Sequence, residues 1–181
     1  MKRLIVFLAV ITLSGALSAQ SLTPVENGSR VHFVIDNFGI GTGGDFKGLT
    51  GTITFDPSNL STASFDVSVD ASTINTSIAS RDSHLRRAEY FDVANYPKLS
   101  FKSSKVTKTN KDGYYYMFGS MTIKSTTKEI RFPFTATPKG DGFLFEGTFK
   151  LNRRDYGVGG NSISLSDDVT ITLSILANKG Q

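Results

Sequence analysis

Cysteine is absent from the 181 residues. No disulfide can brace the fold, and no thiol can act as nucleophile or metal ligand, so the core must stabilise the domain unaided. Tryptophan is also absent, and histidine occurs only at His32 and His84, which argues against a zinc site. Strong charge of either sign is missing too. The net charge is +4, Lys2 and Arg3 supply two of those positive charges, and the balance left is too weak for a nucleic-acid partner. After residue 19 no apolar run approaches the about 20 residues that a membrane-spanning helix needs.

The first residues form a pattern of their own. Lys2 and Arg3 make a basic n-region, Leu4 to Leu13 an apolar h-region, and Ser14 to Ala19 a mostly small-residue end. This is the pattern of a secretory signal peptide, with cleavage expected after Ser18 or Ala19. No cysteine stands near that point to accept a lipid. An exported protein, periplasmic or secreted, is expected, with one domain over residues 20–181. The roughly 160 residues that remain are enough for one domain burying about 70% of its unfolded surface.

Beyond the leader the dominant period is two. Val31, Phe33 and Ile35 share one strand face while His32 and Asp36 take the other, and Phe65, Val67, Val69 and Ala71 alternate with Asp66, Ser68 and Asp70. Further strands are expected over Leu49–Phe55, from Leu99, over Tyr114–Phe118 and on to Lys124, from Ile130, over Phe143–Leu151 and over Val169–Ile175. Tyr115, opposite in phase to its neighbours, is expected at the surface. Turn signals at Asp56-Pro57, Asp112-Gly113 and Asp141-Gly142 separate them. Pro133 cannot donate to a ladder and predicts a bulge, an edge or a local opening.

Gly39-Ile40-Gly41-Thr42-Gly43-Gly44 formally matches a dinucleotide fingerprint, but Asp45-Phe46-Lys47-Gly48 and a strand follow it rather than the required helix. Sharply bent or flexible backbone is the better reading. Only Arg81–Pro97 departs from the strand pattern. Leu85, Ala88 and Phe91 recur at roughly helical spacing, predicting a short helical insert near residues 79–92 with Ser80 as its cap.

About eight antiparallel strands with one apolar face each must close or fold over to hide that face. An up-and-down, lipocalin-like all-β barrel is the expected fold, and a two-sheet sandwich is the alternative. The apolar faces are rich in phenylalanine, and such an interior is either packed solid or holds one small ligand.

Three spaced segments together identify a resemblance. Arg81-Asp82-Ser83-His84-Leu85 with Tyr90-Phe91-Asp92-Val93-Ala94-Asn95-Tyr96-Pro97 resembles the signature of the YceI-like family of exported polyisoprenoid-binding proteins. Gly51–Pro57 with Asp70–Thr76 upstream, and Gly119–Lys124 with Asn152–Gly157 downstream, fit the same pattern. The resemblance implies a barrel whose apolar interior takes the tail of a long isoprenoid or similar amphiphile, with no catalytic residue and no cofactor beyond the bound lipid. Many members carry a histidine near the end of the first strand, where this chain has Asp36-Asn37-Phe38-Gly39. The head-group chemistry here is therefore expected to differ.

Interior ligand contacts are expected from Phe33, Phe55, Phe65, Val67, Val69, Phe101, Phe118, Phe132, Phe134, Phe145 and Phe149. At the mouth, Arg81, Asp82, His84, Arg154 and Asp155 are the candidates for a polar head, since guanidinium groups bind phosphate through paired hydrogen bonds. Their competing role is to fasten the insert, Arg81 and Asp82 pairing with each other or with the 152–155 cluster. The loop Gly157–Asn161 is expected to border the same entrance as the insert. Carriage of an amphiphile for transport or storage is the leading expectation. A filled barrel that binds a protein partner is the alternative, followed by an enzyme acting on such a lipid, and the sequence leaves a homodimer open.

Overall fold

The computed structural model describes residues 21–180, so the expected leader lies outside the described residues. Nine strands carry the fold: β1 (Ser21–Pro24), β2 (Arg30–Asn37), β3 (Ile40–Thr54), β4 (Ser64–Asn75), β5 (Lys98–Lys108), β6 (Tyr114–Ile123), β7 (Thr126–Lys139), β8 (Gly142–Asn152) and β9 (Leu165–Lys179). From β2 onward each strand pairs antiparallel with its successor, and β9 pairs back to β2. The eight-stranded barrel is thereby closed, which excludes the sandwich.

The ninth strand, β1, was not expected from the sequence. It slots between β3 and β9, with Leu22 opposite both Ile53 and Lys179, and so extends the line of β2 at one end of the barrel. Leu22 is 1% exposed there. Together with Ile53 and Phe55 it closes that end, the base of the barrel.

The base is an aromatic plug. The Phe55 ring meets Phe65, Tyr115, Phe134, Phe143 and Phe145 edge-on, at centroid distances of 5.3 to 6.3 Å. Edge-to-face pairs of this kind add about 0.5–1.5 kcal/mol each beyond simple burial.

β6 reverses one expectation. Tyr115 is buried in the plug, whereas Phe118 faces outward beside Arg131, so Phe118 is not an interior residue and Tyr115 is not a surface one. The run Tyr114–Phe118 is apolar in both phases, and only its neighbours decide which phase turns inward. Gly119 does so: a Cβ there would stand 2.5 Å from the Phe101 ring, so the inward phase of β6 is the one that makes room for Phe101.

Pro133 marks a local opening. β7 pairs with β6 from Thr126 to Thr135 but with β8 only from Phe134 onward, so Thr126–Pro133 and Thr148–Asn152 are not laddered to each other. A residue without an N–H at the point where a ladder ends is the physical reason.

The glycine-rich stretch is strand, not loop. β2 and β3 join through the two residues Phe38 and Gly39, with φ of 52° and 75°, and the glycines that follow lie within β3. At Gly44 a Cβ would come within 2.5 Å of the Phe33 ring, so the absent side chain is what lets that ring lie across the wall.

The insert begins with helix α1 (Ala79–Leu85) and continues as hydrogen-bonded turns to Tyr96. Ser80 does not cap it. Ile78 occupies the cap position without a side-chain bond, and the Asp82 amide donates to the Ile78 carbonyl at 3.0 Å.

Candidate functional site

Inside the barrel, above the plug, lies an inner chamber of about 140 Å³ whose walls are almost wholly apolar. A second chamber of about 350 Å³ lies between it and the insert, at the mouth. The two share Phe33, Phe46, Leu99, Ile123, Leu151 and Ile171 as walls, so they lie against each other along the barrel. Strand period supplies the inner lining, while the rim comes from the insert, from the one-turn 3-10 helix Arg153–Tyr156 and from the loop after it.

Nine of the expected interior residues, Phe33, Phe65, Val67, Val69, Phe101, Phe132, Phe134, Phe145 and Phe149, line the inner chamber. Phe55 does not, because it is the centre of the plug, and Phe118 stands outside the barrel. Met117 and Met121 join the lining from β6. The sequence reading passed over them because it followed phenylalanine.

At the mouth the candidates separate into two groups. Arg81 and His84 line the chamber. Asp82 is buried instead. Its Oδ1 accepts from the Thr76 amide at 2.8 Å and the Thr76 hydroxyl at 2.5 Å, while Arg81 Nε donates to that hydroxyl and Nη2 to the Thr76 carbonyl, both at 2.8 Å. The pair therefore fastens the insert to the end of β4 rather than to each other or to the 152–155 cluster. Burial alone would raise the Asp82 pKa, but the Thr76 bonds and the charges of Arg86 and Arg81 outweigh it and hold the carboxyl below its ordinary value.

Other bonds complete the fastening. Arg86 donates to the carbonyls of Ser72 (2.6 Å) and Ile74 (3.0 Å), and Lys124 Nζ to those of Ala88 and Gly157, each at 3.0 Å. The Gly159 amide donates to the Glu89 carbonyl at 2.9 Å, so insert and glycine loop border one entrance. His84 packs its ring against Tyr90, with 4.9 Å between centroids.

Arg154 and Asp155 are exposed and line neither chamber. The inward residue is Arg153, whose side chain is 4% exposed. It donates to the carbonyls of Ser166 (2.9 Å), Val158 (2.9 Å) and Gly160 (3.0 Å), and to Asp167 Oδ1 (3.0 Å). Its guanidinium thus staples the loop to the start of β9. A readable signal existed: Phe149, Leu151 and Arg153 continue one strand phase.

Tyr156 is the other rim residue that went unnoticed. It is 2% exposed and lines the mouth chamber, and its hydroxyl has no hydrogen-bond partner among the described residues. Burial, with Asp155 nearby, raises its pKa. His32 lies on the outer wall, with Nδ1 2.9 Å from Asp45, to which Arg30 also donates at 2.7 Å. No group of three or more His, Asp or Glu side chains able to hold a metal occurs among the described residues.

A closed antiparallel barrel with an apolar cavity under a fastened insert defines a lipocalin-like barrel protein. The chain belongs to the YceI-like family, whose domain model matches residues 23–177. UPF0312 protein ECA1782 of Pectobacterium atrosepticum is 31% identical over 140 residues, covering 73% of this chain and 71% of that protein. Protein YceI of Salmonella arizonae matches with the same identity and coverage.

Among solved structures, BcnA of Burkholderia cenocepacia superposes with a TM-score of 0.80 at 22% identity, covering 84% of this chain and 98% of that one. A polyisoprenoid binding domain from Saccharophagus degradans, described as implicated in plant cell wall breakdown, gives 0.72 at 12% identity, covering 89% and 99%. The fold is shared with both.

Proposed function

We propose that the barrel holds the tail of a long-chain amphiphile, a polyisoprenoid or related lipid, after export of the protein, for transport or storage. The observation that carries this reading is the continuous apolar lining from the aromatic plug to the mouth, with polar side chains gathered only at the rim. A tail entering it gains about 0.8 kcal/mol per methylene removed from water. The Saccharophagus degradans neighbour is described as binding the same ligand class, and the Lys2-to-Ala19 leader supports export. Arg81 lines the rim with Nη1 outside the Thr76 bonds, which supports a role for it in meeting a polar or anionic head.

One observation favours a second reading, a largely filled barrel that binds a protein partner. The inner chamber, at about 140 Å³, is close to the about 150 Å³ of an engineered cavity that takes a single benzene. A long tail must therefore swing side chains aside or lie chiefly in the mouth chamber.

Native mass spectrometry of the protein isolated from its own host decides between the two. A stoichiometric prenyl or acyl species is expected, together with an N-terminus at Ala19 or Gln20. A bare mass that stays unchanged after incubation with isoprenoid phosphates and fatty acids would overturn the carrier reading in favour of the filled barrel. Val67→Asp, placed on the wall of the inner chamber, is expected to fold and to lose cargo uptake.

A further inference from the structure

Six large apolar side chains are conspicuously exposed among the described residues. Tyr114 and Tyr116 lie under the cations of Lys111 and Arg131 on the outer face of β6. The other four stand at the mouth end: Phe38 (75% exposed), Ile40 (71%), Ile163 (102%) and Ile78 (49%). Their neighbours Asn37, Thr42, Thr76, Ser162 and Ser164 line the mouth chamber. The Phe38 amide donates to the Ser164 carbonyl at 2.7 Å, which ties the tip of the β2–β3 hairpin to the loop carrying Ile163.

Phe38 breaks two local rules at once. A two-residue hairpin with both central residues at positive φ is the setting for Asn-Gly, and Phe38 adopts φ 52° there. Its ring also gains nothing from burial, because it stands in water. A residue that opposes both turn chemistry and solvation points to an interaction outside the folded chain.

Ile40 shows where that interaction leads. Phe46, Gly44 and Thr42 are successive inward positions of β3, and Phe46 and Thr42 line the mouth chamber. Ile40 is the next position in the same phase, beyond the rim. The inward phase of β3 thus runs from Phe46 past the polar rim position Thr42 out to the exposed apolar tip.

We propose that Phe38, Ile40 and Ile163 form a docking tip that inserts into the surface of a lipid bilayer and seats the barrel mouth against it. The proposal rests on the carrier reading. A tail that left the mouth into water would lose its apolar contacts methylene by methylene, whereas a mouth seated on a bilayer by an apolar tip shortens the path through water. The charge pattern narrows the target. No lysine or arginine occurs in residues 35–42 or 157–164, and Asp36, Asp167 and Asp168 flank the tip. Docking is by apolar insertion, suits zwitterionic lipid, and is insensitive to salt.

The test uses residues 20–181, which contain every strand of the barrel and leave out the apolar leader, whose own membrane affinity would mask the effect. Flotation with phosphatidylcholine vesicles is measured for this protein, for Phe38→Asn and for Ile163→Ser, with uptake of a fluorescent prenyl lipid in vesicle-free buffer measured alongside. Because the chain has no tryptophan, Ile163→Trp supplies a single reporter.

The expected results are flotation of the unsubstituted protein, about tenfold or greater weakening in Phe38→Asn, and a blue shift of the reporter on adding vesicles. Phe38→Asn suits the turn and is expected to melt no lower, so weakened docking would not reflect misfolding. Absence of flotation, equal flotation of Phe38→Asn, or a dimer in light scattering that Phe38→Asn dissociates would each overturn the proposal, the last assigning the tip to a second copy of the chain. Lipid uptake separates the two readings. If it persists while flotation fails, only the docking tip falls, and if it is missing, the carrier reading falls.

Discussion

Phe132 and Phe149 stack with 4.3 Å between ring centroids and 20° between planes, across the part of the wall where β7 and β8 do not ladder. Side-chain contact there does what hydrogen bonds do elsewhere in the barrel, and the same rings line the inner chamber. Phe149→Ala removes the bridge and is expected to cost about 3–5 kcal/mol, as large core truncations do. Urea unfolding measures it. In the unsubstituted protein, those amides of Thr126–Phe132 that point away from β6 are expected to exchange with solvent faster than the laddered amides of Thr135–Lys139. Equal protection would mean that the wall is closed there.

Asp82 gives a pH signature. Its carboxyl is held below the ordinary value in the folded state, so the stability it contributes is fully present above the unfolded value of about 3.9 and fades as pH falls through the lower folded value. Asp82→Asn is therefore expected to lose about 1–3 kcal/mol at neutral pH, where the buried carboxylate serves Thr76. The gap in melting temperature from the unsubstituted protein should narrow as pH drops below about 4. A gap that widened in acid would contradict the assignment of Asp82 as a fastener.

Tyr156 offers a clean separation of stability from binding. Its hydroxyl is buried without a partner, so Tyr156→Phe breaks no bond and relieves a desolvation cost of about 1–3 kcal/mol. The melting temperature is expected to stay equal or rise. A loss of stability in thermal unfolding would show that the hydroxyl is bonded in solution.

The two faces of β6 make opposite predictions. Tyr115→Ala opens the aromatic plug and is expected to cost about 3–5 kcal/mol. Phe118→Thr alters a half-exposed position on the outer wall and is expected to cost under about 1 kcal/mol. Similar losses at both positions in denaturant titration would refute the assigned phase of the strand.

The strand alternation, the turn at Asp112-Gly113 and the ladder break at Pro133 were legible in the sequence because each rests on a local rule, a period of two or a dihedral preference, while the second tight turn falls on Gly140-Asp141, one residue before the expected Asp141-Gly142. Local rules also located the insert, though not its cap or its length. Where both phases of a strand were apolar, as over Tyr114–Phe118, pattern alone chose wrongly, since the direction depends on a neighbour such as Phe101 needing the space over Gly119. β1 was too short to show a period.

At the mouth, the sequence by itself determined that charged residues gather in the 81–87 and 152–155 segments. Only the tertiary structure decided which of them face the cavity. Asp82 turned to Thr76 and Arg153 to the carbonyls of the following loop because burying a charge requires every available partner, and those partners, five to seven residues away in the chain, come within reach only when the insert and the loop take their folded turns. Period and propensity act between neighbours in the chain, whereas satisfaction of buried charge and filling of volume act between neighbours in space.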